Sequence, residues 1–169
     1  MAVSRYNWTV TGALLEGAKK SYKAATGAEL TDQDIYFAPG AFELVAISHA
    51  AADSRLYDGM VALGCIIKGE TIHDQVLAHA VTQALANIPL VTTVPVTLGV
   101  LTVNNAKQAK DRSGGKLGNK GAEAMDALLA TLVQTQRIAA RRGPRSAPAS
   151  FEIDLSNLAS PDKLTKGGR

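Results

Sequence analysis

Apolar residues along this chain fall into two alternating kinds of block, unbroken runs and helical stripes. Met60 to Ile67 is almost continuously apolar, the pattern of a parallel strand buried on both faces. Behind it, apolar residues recur at Val76, Leu77, Ala80, Val81, Ala84, Leu85 and Ile88, which predicts a helix with one buried stripe. Ahead of it, Val10, Leu14, Leu15, Ala18 and Tyr22 mark the inner face of a first helix, with Thr9 or Thr11 as its cap. Ile35 to Ala38 is a short strand ended by Pro39-Gly40. A second helix is expected over about Ala41 to Ser54, with Leu44, Val45, Ile47 and Ala51 inward. Pro89 to Thr93 then reads as a connection and Val94 to Thr102 as another strand, followed by a short helix capped by Asn104 or Asn105 and running to about Arg112. A glycine-rich loop leads into a last helix marked by Ala122, Met125, Leu128, Leu129, Leu132 and Val133.

Strand and helix alternate throughout, so the fold class is α/β, with a mainly parallel four-stranded sheet. Met1 to Val3 leaves only a stub for the first strand, which is expected to be truncated and frayed. From Arg141 onward, Pro144, Pro148 and Pro161 with Ser and Gly predict a mostly disordered tail, in which Phe151, Ile153 and Leu155 alternate as a short strand would. The expected division is a domain at 1–140 and a tail at 141–169.

Composition narrows the function classes. With 46% apolar and 20% charged residues, 169 residues make one ordinary globular domain. The formal charge of +3 comes from the tail: Arg141 to Arg169 holds six basic and three acidic residues, leaving twelve of each sign elsewhere. A neutral domain argues against nucleic acid as a partner. Cys65 is the single cysteine and sits in an apolar run, which fits a reducing compartment and a small buried residue. No apolar stretch reaches a bilayer's width and no leader pattern is visible, so a soluble cytoplasmic protein is expected.

The candidate chemistry starts where the apolar run ends, at Lys68-Gly69-Glu70-Thr71-Ile72-His73. A polar, glycine-containing loop between a parallel strand and a helix lies at the carboxyl edge of a sheet, where open α/β folds bind ligands. Its backbone N–H groups and the helix N-terminus suit an anion such as phosphate. Free imidazole exchanges protons near neutrality, so a histidine beside this loop, His73, is placed for proton transfer, although a histidine at a helix start is also a common cap. His49 and His79 lie inside helices and read as structural. No paired-cysteine or H-E-x-x-H spacing exists for a metal, and no cofactor is expected.

Three further segments complete a set: Ser4-Arg5-Tyr6-Asn7, Pro39-Gly40-Ala41-Phe42-Glu43, and Arg112-Ser113-Gly114-Gly115-Lys116-Leu117-Gly118-Asn119-Lys120-Gly121. In this order and spacing, over about Ala2 to Val133, the chain closely resembles the 6,7-dimethyl-8-ribityllumazine synthase family. The resemblance implies a flavodoxin-like three-layer α/β/α sandwich. It also implies condensation of 5-amino-6-(D-ribitylamino)uracil with 3,4-dihydroxy-2-butanone 4-phosphate, releasing phosphate and water, in riboflavin biosynthesis.

By the same resemblance His73 matches the proton donor, and Glu70, Thr71 and Arg112 match the phosphate-binding positions. Glu70 is compatible with that only through its backbone. Tyr6 matches the aromatic that stacks on the pyrimidine, with Cys65, Ile66 and Ile67 at the ring edge, Lys120 near the ring and Ala41, Phe42 and Glu43 at the ribityl chain. Without the resemblance, Phe42 reads as core, Glu43 as a first-turn residue favoured by the helix dipole, and Arg112 as a cation closing a helix. Leu98 stands where the family usually has a phenylalanine, Lys68 replaces a frequent arginine, and Asp74 replaces an aromatic. The family implies a homo-oligomer, a pentamer or a multiple of pentamers, with sites at subunit interfaces to which Leu98 and Arg112 contribute. The alternative is a catalytically weakened shell-forming or lumazine-binding structural protein of the same fold.

Overall fold

The structure is a computed structural model that describes residues 1–141; the expected tail, with the alternation at Phe151, Ile153 and Leu155, lies outside the described residues apart from Arg141. Met1–Gln136 forms one compact unit. Its elements run β1 (Ala2–Ser4), α1 (Trp8–Thr26), a 3₁₀ turn (Asp32–Asp34), β2 (Tyr36–Ala38), α2 (Leu44–Asp53), β3 (Met60–Ile67) and α3 (His73–Thr92). They continue with β4 (Val96–Val103), α4 (Ala106–Arg112), β5 (Ser113–Gly115), β6 (Gly118–Asn119) and α5 (Lys120–Ala140). The main sheet is parallel with order β2-β1-β3-β4, the beginning of a doubly wound flavodoxin-like order.

Strand alternation sorts β3 into two cores. Val61, Leu63 and Cys65 point to one face, where Leu14 and Leu15 of α1, Ala109 of α4 and Met125 and Leu128 of α5 cover them. Met60, Ala62 and Ile66 point to the other, against Leu44 of α2 and Val81, Leu85 and Ile88 of α3. That is the three-layer sandwich, with each face of the sheet sealed by helical stripes. On the first face α1 and α5 touch backbone to backbone: a Cβ on Gly121 would stand 2.0 Å from the Leu14 carbonyl oxygen, so only glycine allows this crossing.

The first strand is short, as expected, but it does not fray. Ala2, Val3 and Ser4 are fully buried between β2 and β3, and the chain beyond them is tied down by Arg5 N–H to the Ala38 carbonyl (2.7 Å) and Tyr6 N–H to the Pro39 carbonyl (3.2 Å). Several boundaries differ from the sequence pattern for local reasons. α1 begins at Trp8 after Asn7, which takes a left-handed conformation (φ 60°); Thr9 and Thr11 lie inside the helix. α3 continues through Pro89 to Thr92: the proline removes one rung, the bond its N–H would have given to the Leu85 carbonyl, while Thr93 N–H closes on the Pro89 carbonyl. Asn105 caps α4 by accepting from Gln108 N–H at 3.0 Å. The glycine-rich loop forms the small antiparallel hairpin β5–β6.

Candidate active site

Three neighbouring strands, β2, β1 and β3, end side by side, and their connections wall a hollow of about 540 Å³ at the carboxyl edge of the sheet. Tyr6 and Asn7 follow β1, Gly40 to Glu43 follow β2, and Cys65 to Lys68 close β3. His73, Asp74 and Leu77 come from the first turns of α3. The expected residues Tyr6, Ala41, Phe42, Glu43, Cys65, Ile66, Ile67 and His73 thus meet in one place. Ala41, Cys65 and Ile66 form a buried floor, while Tyr6 (70% exposed) and Phe42 (63%) stand as open aromatic walls.

The hollow exists because β1 stops early. Its ladder to β3 ends at Val3 opposite Leu63, so the last residues of β3 lose their neighbour on that side. Asn7 partly replaces it, donating from Nδ2 to the Cys65 carbonyl at 3.0 Å. Successive strand residues direct their backbone polar groups to opposite sides. Lys68 N–H bonds to the Val103 carbonyl on the β4 side (2.8 Å), so Ile67, out of phase with it and in phase with Cys65, turns its N–H and C=O toward the hollow. A backbone donor and acceptor are therefore presented to the edge of a flat ring. Asn7 stands in the Ser4–Asn7 motif with nothing in its residue type to mark this role beyond asparagine's tolerance of the left-handed region.

Charge in the hollow is mixed. Glu43 reaches back to accept from Gly40 N–H at 3.0 Å, which fixes one carboxylate oxygen at the start of α2. Lys68, noted only as a departure from the family pattern, lines the same space. His73 is exposed, and its backbone N–H donates to Thr71 Oγ1 at 3.3 Å. Burial pushes the Cys65 thiol up to about 11, so it is a neutral packing group and not a nucleophile.

The remaining expected residues lie elsewhere. Glu70 and Thr71 are exposed in the loop between β3 and α3 and do not line the hollow. Leu98, Arg112 and Lys120 line a separate concavity of about 550 Å³ along the free edge of β4, against the end of α4 and the first turns of α5. Leu98 is 46% exposed there. Arg112 donates from Nη1 to the Gln108 carbonyl at 3.2 Å, closing its own helix as the plainer reading held, and no ion pair among the described residues engages it. Lys120 pairs with Glu123 at 2.6 Å. Within one chain the expected site residues therefore fall in two separate concavities, with Glu70 and Thr71 lining neither. Among the described residues no group of three His, Cys, Asp or Glu side chains could hold a metal ion, and no helix is long and apolar enough to cross a membrane.

Comparison with known proteins identifies the family. The sequence profile described as 6,7-dimethyl-8-ribityllumazine synthase matches residues 1–136. Proteins of that name are 42% identical in Lactiplantibacillus plantarum (over 78% of this chain and 82% of the relative) and 44% identical in Edwardsiella ictaluri (73% and 80%). A third, from Buchnera aphidicola, is 39% identical over 72% of this chain and 77% of the relative. The chain belongs to the 6,7-dimethyl-8-ribityllumazine synthase family.

Proposed function

We propose that the protein condenses 5-amino-6-(D-ribitylamino)uracil with 3,4-dihydroxy-2-butanone 4-phosphate to give 6,7-dimethyl-8-ribityllumazine, with loss of phosphate and water. The observation that carries this is the hollow at the ends of β2, β1 and β3, where an aromatic wall, an open strand edge and a histidine converge. The pyrimidine stacks on Tyr6, its edge pairs with the backbone of Ile67, and the ribityl chain runs past Ala41, Phe42 and Glu43. His73 moves protons at the amine and carbonyl during imine formation and ring closure. The first turn of α3 and the Thr71 loop, with Arg112, hold the phosphate, for which helix N–H groups and a planar guanidinium are suited.

The two concavities are half-sites completed by a second copy of the chain. A neighbour's β4 edge, bearing Leu98, Arg112 and Lys120, covers the open side of the hollow in a cyclic homo-oligomer built of pentamers. The half-exposed Leu98, the exposed Tyr6 and Phe42 and the unpaired strand edge support this reading. The neutral buried thiol of Cys65 suits the cytoplasm, and no nucleic acid or membrane takes part. Mixing the purified protein with both substrates and following the lumazine chromophore tests the activity. Product forming no faster than in a protein-free control sinks it.

A further inference from the structure

Asp74 occupies a position that helical periodicity assigns to a hydrophobe. Along α3 the inward stripe is Asp74, Leu77, Val81, Leu85 and Ile88, and four of the five are apolar. Asp74 is only 8% exposed, and its Oδ1 is buried with no hydrogen-bond partner among the described residues. Nor does an ion pair among the described residues take it up. Burying a carboxylate without donors is costly. Its place in the first turn of a helix offsets part of that cost, but an exposed first-turn acid would gain the same dipole energy without burial. What burial adds is a place in the wall of the hollow, beside Phe42, Glu43 and Leu77.

We infer that Asp74 is a ligand-binding group that accepts hydrogen bonds from hydroxyls of the substrate's polyol chain; this rests on the proposed function and assigns a specificity residue to it. Asp74 lies on the buried stripe of α3, which packs against α2 and the sheet, and it lines the hollow together with Ala41, Phe42 and Glu43. Glu43 already commits one oxygen to Gly40, so the two carboxylates together offer spare acceptors for several hydroxyls. The pair also repels anions from that end of the hollow and leaves phosphate to the loop and Arg112. Asp74 does not orient the His73 ring, because adjacent helical residues do not face each other.

The test compares 6,7-dimethyl-8-ribityllumazine with an 8-ethyl analogue that lacks the hydroxyls, reading Kd from lumazine fluorescence on the parent, Asp74→Ala and Asp74→Asn. Asp74→Ala should weaken the ribityl compound by about tenfold or more and the 8-ethyl compound by less than about twofold. Asp74→Asn, which keeps one acceptor oxygen, should fall between, and neither variant should melt below the parent, since an uncompensated buried carboxylate has been removed. Equal losses for both ligands, or a lowered melting temperature with both affinities reduced, would mean a packing role and overturn the inference. So would unchanged ribityl affinity. A parent that fails to bind ribityllumazine overturns the proposed function along with this inference, whereas a parent that binds it equally with and without the Asp74 carboxylate overturns this inference alone.

Discussion

The hollow and the β4 edge carry the same kind of residues but are built differently. The hollow is assembled from the ends of three strands, the turn leading into α2 and the first turns of α3, so its residues are placed by the backbone ladder, and its floor is buried. The β4 concavity is the side of one strand with two helices leaning on it, and nothing among the described residues pairs with its outer edge. A site at strand ends is a property of the fold. One on a free strand edge acquires walls only when something is laid against it, which is why the two halves are expected to fail separately and be rescued jointly.

The largest effect expected on either side is His73→Ala, which should lower turnover by roughly 10²-fold, the low end for acid–base catalysis, since positioning supplies much of the rest. Arg112→Ala damages the other half. Mixed at equal amounts with subunit exchange confirmed, and assayed with the butanone phosphate well below its KM so that each variant alone is nearly inactive, the two should recover about a quarter of the parent activity, the share of sites that combine an intact hollow with an intact neighbouring edge. No recovery at all would place both residues in one chain's site and abolish the comparison.

Cys65 tests how well the floor is sealed. A thiol lifted from 9.0 to about 11 leaves about a hundredfold less thiolate at neutral pH, so iodoacetamide should alkylate the native chain about two powers of ten more slowly than the urea-unfolded chain. Below pH 9 the thiol is protonated in both states. Between 9 and about 11 the unfolded chain ionises first, and stability should fall as pH rises through that window. Equal alkylation rates would show the floor open to solvent. The smallest effect belongs to Arg112→Ala taken alone: the KM for the butanone phosphate should rise about tenfold, with that for the pyrimidine within about twofold. Were the two constants to move together, Arg112 would be acting through α4 and not through phosphate.

Much of this was legible in the sequence, for identifiable reasons. The Met60–Ile67 run and the α3 stripe each satisfy a simple period, and three of the four motifs fall at the ends of β1, β2 and β3, so the hollow is legible in the sequence. Three things were not. The inward face of α3 is narrower than its apolar residues indicated: Val76 is 58% exposed, and Asp74 takes the buried position at the top of the stripe, a tertiary choice that overrides side-chain character. Pro89 reads as a helix end because proline breaks helix interiors, yet α3 runs past it to Thr92 at the loss of one backbone hydrogen bond. The separation of Leu98, Arg112 and Lys120 from the other site residues is a matter of which side of the sheet β4 joins, and no local pattern encodes strand order.

Gly121 follows Lys120 in the chain, and its meeting with Leu14 bears on how mutational surveys of this protein will read. In a saturation library selected for growth, position 121 should be depleted of every alternative, and so should bulky or kinking changes that shift the backbone at Leu14. Such intolerance beside a lysine proposed to stand near the substrate invites a catalytic label. It belongs to helix crossing, and a selection scored on folding alone would show the same depletion at 121 while sparing Lys120.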